Sequence, residues 1–281
     1  MTDRVLPLIS YGDANCGVRF VASLRDYGFA ALIDHPLDMQ RVRRIYSEWQ
    51  TCFRDGGAEA YAMDPERQDG YFSTERAEHA KGFNDRDFKE YFQYYTWGRC
   101  PDGLRQDLAD HFQQALDVAS SLLSWVERYA PEDVVARFSE SLPAMIAGSQ
   151  QSMLRVLHYP PVPEGRSVLR AAPHEDINLL TLLPASDGPG LEILQRNGEW
   201  LTVPNRENQV LINIGDMLQE ASGGYFPSTT HQVSPPSGDD IRKGRMSLPL
   251  FLHPRPEVVL SERYTAGSYL SERLGELGVV S

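Results

Sequence analysis

Cysteine is scarce in this chain: Cys16, Cys52 and Cys100 are the only three among 281 residues, odd in number and far apart. Such usage excludes a disulfide framework and a CxxC zinc site, and it leaves reduced thiols in the core or at the surface. No apolar run reaches the roughly 20 residues that cross a bilayer, so the chain reads as soluble, with no membrane partner. The N-terminal Met1-Thr2-Asp3-Arg4 lacks a basic stretch leading into an apolar one, and the expected setting is the cytoplasm. Positive charge is also in deficit, with 27 Lys and Arg against 39 Asp and Glu and a formal net charge of −12. Nucleic acid is therefore an unsuitable partner, since phosphate contacts need clustered Lys and Arg. No internal repeat or low-complexity tract is present.

What remains is an ordinary globular composition, 41% hydrophobic and 23% charged, in a chain long enough to bury a sizeable core. Val18, Val21, Leu24 and Tyr27 recur at helical spacing, and Gly28 is placed to end that helix in a left-handed conformation. Phe29 to Ile33 reads as a short buried strand. Asp38 can then cap a second helix whose apolar face is Val42, Ile45, Trp49 and Phe53. Residues 55 to 100 show weak periodicity and several glycine breaks, Gly70, Gly82 and Gly98 among them, which predicts irregular structure. The aromatic run from Phe88 to Trp97 lies inside it. The clearest helical stripe is Leu104, Leu108, Phe112, Leu116, Ala119, Leu122 and Val126, running from an Asp102 cap towards Pro131. His111 beside that stripe reads as a packing or surface residue.

After Ser149 the pattern changes to short extended runs: 153–159, 177–183, 191–195, 200–203, 210–214, 229–233 and 246–252. Their separators are rich in Pro, Gly, Asn and Asp, and Asn197-Gly198 is a strong hairpin signal. Many short strands joined by such turns indicate a sandwich or barrel. The expected organisation is a helical and irregular region over 1–100, a long helix and connection over 101–149, a β core over 150–255 and a helical tail over 256–281. One core is expected rather than two independent domains.

Within the β half, His174-Glu175-Asp176 would put His174 and Asp176 on one face of a strand and Glu175 on the other. His231 arrives from a distant strand, and two histidines with one carboxylate suit iron(II) with open coordination positions. Zinc accepts the same ligands, so a zinc hydrolase is an alternative. A non-catalytic binding protein is another. Arg245 and Ser247 share a face of a later strand and offer a fixed cationic fork beside a hydroxyl. Such a pair is a seat for a carboxylate. Tyr159 ends the strand before the His-x-Asp segment.

These residues, with Leu154-Arg155-Val156-Leu157-His158-Tyr159-Pro160-Pro161 and Asn213-Ile214-Gly215-Asp216, resemble the isopenicillin N synthase-like family of iron(II)- and 2-oxoglutarate-dependent oxygenases. The similarity covers about residues 150 to 255 and extends more loosely to Gly28-Phe29, Gly70-Tyr71 and Phe88-Lys89-Glu90. It implies a double-stranded β-helix, or jelly roll, flanked by N-terminal helices. It further implies His174, Asp176 and His231 as iron ligands, and Tyr159, Arg245 and Ser247 as the grip on 2-oxoglutarate. Leu157 stands where many relatives carry an asparagine that adds a bond to the cosubstrate.

The implied reaction decarboxylates 2-oxoglutarate to succinate and CO2 and spends O2 on a small-molecule C–H bond. Hydroxylation is the default outcome, with desaturation and ring closure open, and ascorbate is expected to help in vitro. An isopenicillin N synthase-type oxidase without 2-oxoglutarate is the alternative within the family. Substrate contacts are expected from Tyr71, Phe72, Arg155, Leu157 and Asn178, an ion pair with an acidic neighbour being the competing reading for Arg155. No side chain is assigned as a catalytic acid or base.

Overall fold

The computed structural model describes residues 5–75, 87–163 and 168–276. The N-terminal tetrapeptide and Gly82, read above, lie outside them. Among the described residues, thirteen strands and seven α-helices follow in chain order. The first part holds β1 (Leu8–Ser10), α1 (Cys16–Tyr27), β2 (Phe29–Ile33), α2 (Met39–Arg54), β3 (Gly70–Phe72) and β4 (Glu90–Tyr94). Then come α3 (Asp102–Tyr129), α4 (Glu132–Val135) and α5 (Leu142–Ile146). The β-rich part contains β5 (Met153–Tyr159), β6 (Ala171–His174), β7 (Leu180–Pro184), β8 (Leu191–Leu194), β9 (Trp200–Thr202) and β10 (Val210–Ile214). It closes with α6 (Asp216–Ala221), β11 (His231–Val233), β12 (Arg245–Ser247), β13 (Leu250–Leu252) and α7 (Ala266–Glu276). Among the described residues no helix is long and apolar enough to cross a membrane.

Local chemistry explains several of these boundaries. Gly28, at φ 69°, ends α1 and returns its N–H to the Leu24 carbonyl, a left-handed cap that a side chain would strain. A Cβ at that position would also lie 2.0 Å from Oγ1 of Thr229, so the turn packs directly on the segment leading to His231. The Asp38 carboxylate accepts from the backbone N–H groups of Gln40 and Arg41 and so starts α2. In α3, Asp102 opens the first turn but makes no capping bond, and Pro101 holds the cap position. That corrects the expected Asp102 cap. Asn197-Gly198 forms the hairpin that pairs Leu194 with Trp200.

Two departures concern strands. The region from 55 to 100 is not simply irregular, since β3 and β4 lie in it and β4 pairs along the full length of Glu90–Tyr94 with β5. The run 246–252 is two strands rather than one, because Pro249 lies between them and has no N–H to donate to a ladder.

A nine-stranded sheet, ordered β1-β2-β10-β7-β13-β5-β4-β3 with β12 also paired to β5, faces a four-stranded sheet ordered β6-β11-β8-β9. Period-two alternation gives the large sheet two different faces. Its outer face carries Leu32, Ile212, Leu182, Leu250, Val156 and Phe92, which join α1, α2 and α3 in the main core. The inner face carries Leu211, Phe29 and Ala31 in one apolar cluster, with Leu191 and Ile193 of the small sheet. A second inner cluster holds Phe72, Tyr91, Leu157 and Tyr159, with Val233 opposite. This is the double-stranded β-helix, and the space between its sheets is where functional side chains converge.

His111 of α3 is fully buried, and neither of its ring nitrogens has a hydrogen-bond partner. Burial, then the charge of Arg41, pushes its pKa down to about 4. The unfolded chain takes up a proton there near 6.5, so stability falls as pH drops through that window, by on the order of 3 kcal/mol in all. His111→Leu is expected to flatten this dependence and to leave stability at pH 8 unchanged or raised. Urea melts at pH 8 and pH 5 check it, and an unaltered pH dependence would contradict the assignment.

Candidate active site

The small sheet presents its histidines as neighbours. β6 ends at His174 and β11 begins at His231, and the two residues are paired in register, with ring centroids 4.4 Å apart. Asp176 does not lie on the same strand as His174, as alternation had suggested, but two residues beyond its end. Its position is set instead by backbone and side-chain bonds. The Asp216 N–H donates to its carbonyl at 2.7 Å, while Thr181 Oγ1 and Asn213 Nδ2 donate to its Oδ2 at 2.6 and 2.7 Å.

These bonds leave a defined set of free atoms. Nδ1 of His174 donates to the Ala172 carbonyl at 2.7 Å, and Nδ1 of His231 to the Thr229 carbonyl at 3.1 Å. A carbonyl accepts only, so each Nε2 keeps its lone pair. Asp176 Oδ1 stands 3.8 Å from His231 Nε2, and one ligand atom from each of the three residues falls within 4.8 Å of the others. The His174 pKa is pushed down to about 4, first by burial and then by His231, which keeps the ring neutral. Although burial by itself would raise the Asp176 carboxyl, the two imidazoles, Thr181 and Asn213 hold it below its ordinary value. Two imidazole nitrogens and one carboxylate oxygen form a set that fits iron(II). His174 itself is exposed while surrounded by protein, so it lies in a recess open to solvent. Glu175 points away, accepting from Thr230 Oγ1.

Across the recess, β12 pairs with β5 so that Arg245 faces Tyr159 and Ser247 faces Leu157. The Arg245 guanidinium lies 5.2 Å from the centre of the Tyr159 ring. Its Nε donates to the Gly188 carbonyl, whereas Nη1 is buried with no partner. A buried donor without an acceptor is the feature that a bound carboxylate would satisfy.

The expected substrate contacts divide by face. Arg155, Leu157 and Phe72 lie on the inner face: Arg155 is opposite Gln93, Leu157 opposite Tyr91, and Phe72 opposite Tyr91 on the far side. Tyr71 is on the outer face, its hydroxyl donating to Glu90 at 2.5 Å, and is not a pocket residue. Asn178 is buried with its amide donating to the Leu180 carbonyl and to Thr181 Oγ1. It therefore supports the Asp176 network rather than lining the recess.

Several neighbours had no role in the sequence reading. Thr181 looks like an ordinary strand residue, and Asn213 like one member of a motif without a role of its own, until register places both beside Asp176. A buried Lys89–Asp87 pair at 2.8 Å braces β6, because Asp87 also accepts from the Ala172 N–H. His253 follows β13 and lines a cavity of about 220 Å3 with Met217, Pro254, Ala266 and Leu270.

Fold and side chains together place two histidines and one carboxylate, a cluster able to hold a metal ion, in a double-stranded β-helix. A family model described as the 2OG-Fe(II) oxygenase superfamily matches residues 150–254. The crystal structure of a Shewanella oneidensis protein assigned as an oxygenase superposes with a TM-score of 0.90 at 49% identity, covering 99% of this chain and 100% of that one. A 2OG-Fe(II) oxygenase family protein from Caulobacter crescentus gives 0.79 at 27% identity, over 96% and 99% of the two chains. Among curated proteins, a mugineic-acid 3-dioxygenase of Hordeum vulgare is 25% identical over 92% of this chain and 77% of its own length. The chain belongs to the 2OG-Fe(II) oxygenase superfamily, and it is an iron(II)- and 2-oxoglutarate-dependent dioxygenase. That selects among the readings the sequence had left open.

Thr181→Val and Asn213→Leu each remove one of the two donors to Asp176 Oδ2 and are expected to weaken Mn(II) binding about 10- to 100-fold. Calorimetric titration of the metal checks this. Wild-type affinity in both variants would contradict it.

Proposed function

We propose that His174, Asp176 and His231 hold the iron, that Tyr159, Arg245 and Ser247 seat 2-oxoglutarate, and that the enzyme hydroxylates a small carboxylate-bearing molecule received by Arg155. The observation that carries the metal assignment is the commitment of atoms: three donor atoms lie within 4.8 Å of one another, and the other polar atoms of those side chains are already bonded. When bound, iron(II) and 2-oxoglutarate supply the oxidising chemistry, with succinate and CO2 as co-products. The chain's own contribution is binding, orientation and exclusion of water.

Arg155 supports the substrate class. It projects from the middle of β5 onto the inner face, its guanidinium 4.4 Å from the Tyr91 ring centre and 5.4 Å from that of Phe251. Gln93 Oε1 accepts from it at 2.5 Å, and the Gln93 amide is itself fixed by donating to the Gln68 carbonyl. Stacking and bonding together hold a cation in one orientation. Apolar walls from Phe72, Tyr91 and Leu157 flank it. The Hordeum vulgare relative, by its name, also acts on an acid. The three free cysteines are in keeping with a cytoplasmic setting.

The test is succinate formation from 2-oxoglutarate, with iron(II), ascorbate and air, against a panel of small carboxylic acids and their methyl esters. Wild type is expected to respond to acids over esters, His174→Ala and His231→Ala to lose turnover, and Arg155→Met to lose the preference for acids. Histidine variants as active as wild type would refute the metal assignment. An Arg155→Met enzyme that still prefers acids would refute the substrate class.

A further inference from the structure

Arg170 stands immediately before β6, four residues ahead of His174 in the chain, and is only 2% exposed. Its guanidinium carbon lies 5.9 Å from the centre of the Tyr159 ring, and that of Arg245 lies 5.2 Å from the same ring. Two cations thus converge on one tyrosine. Each has a single side-chain bond to a carbonyl: Arg170 Nη2 donates to Lys243 at 3.0 Å, and Arg245 Nε to Gly188 at 3.1 Å. Arg170 Nε and Arg245 Nη1 are both buried without a partner among the described residues. Among the described residues, neither guanidinium has a carboxylate within salt-bridge distance. Asp240 and Asp187 act on Arg170 from beyond that distance, and Asp187 accepts from the Met246 N–H at 2.6 Å.

Two like charges buried around one ring, each acting on the other and each with an unused donor, form an unfavourable arrangement for the ligand-free protein. An anion between them reverses the sign of the interaction, and a carboxylate has enough lone pairs to accept from both forks. Consistent with such crowding, burial and then the charge of Arg245 lower the Arg170 pKa from its ordinary value. We infer that Arg170 is a second cation of the 2-oxoglutarate seat, acting with Arg245 to select a 2-oxo acid that carries another carboxylate at its far end. The inference rests on the assignment of Arg245 to that seat.

The test compares two ligands of equal chain length, 2-oxoglutarate and 2-oxovalerate, which lacks the distal carboxylate. Their binding to the Mn(II)-loaded full chain is measured by calorimetry for wild type, Arg170→Met, Arg170→Lys and Arg245→Met. Wild type is expected to favour 2-oxoglutarate by about a hundredfold, and Arg170→Met to lose about tenfold of that preference with 2-oxovalerate binding unchanged. Arg170→Lys, which keeps the charge but not the fork, should fall between them and serves alone if the methionine variant does not fold. Wild-type preference in the Arg170 variants, or equal weakening of both ligands, overturns the role of Arg170. If Arg245→Met itself keeps the wild-type preference, the seat assignment fails instead, a different outcome from failure of Arg170 alone.

Discussion

A single buried carboxylate organises this molecule. Asp176 lies off the end of its strand, and its place is fixed by hydrogen bonds from two strands of the large sheet, β7 through Thr181 and β10 through Asn213. The histidines come from the small sheet. The three side chains therefore meet across the gap between the sheets, and come together only when the two are closed on each other. Burial of the carboxylate is tolerated because one oxygen is saturated by neutral donors, and the other is directed at a position where a cation would compensate it. Losing either sheet's share would leave a buried charge without its partners.

The rest of the inner face extends that logic by sorting charge. Arg245 and Arg170 gather at one end around Tyr159, Arg155 rests on Tyr91 further along, and apolar side chains separate them. The outer face of the same sheet does no chemistry. It packs on α1, α2 and α3, which hold the strands rigid enough for sub-ångström placement of the inner side chains.

How much of this was legible in the sequence varied with the physics of each segment. Strands β2, β5 and β10 were readable to the residue because their runs are apolar and bounded by turn chemistry, and α2 because Asp38 caps it. Strands β3 and β4 were obscured because their outward residues are not simply polar: Tyr71 and Glu90 are tied into a half-buried cluster with His158, so neither a two-residue nor a 3.6-residue period stands out. The error over Tyr71 is one of parity, since a step of one residue along a strand changes the face. His174 and Asp176 were rightly joined but for an incomplete reason, as alternation stops where β6 ends. Asn213 was legible only as part of the Asn213-Ile214-Gly215-Asp216 motif, and Thr181 and Arg170 not at all, because their importance arises from cross-strand register and from burial, which distant residues decide.

The central claim is that one metal position, defined by these three side chains, governs the site. Anomalous diffraction from crystals grown anaerobically with iron(II) and 2-oxoglutarate tests it most directly. The account predicts a single iron peak within coordinating distance of Nε2 of His174, Nε2 of His231 and Oδ1 of Asp176, with the far carboxylate of 2-oxoglutarate against Arg245. An iron peak bound by other residues, or none at the triad under saturating metal, would contradict it.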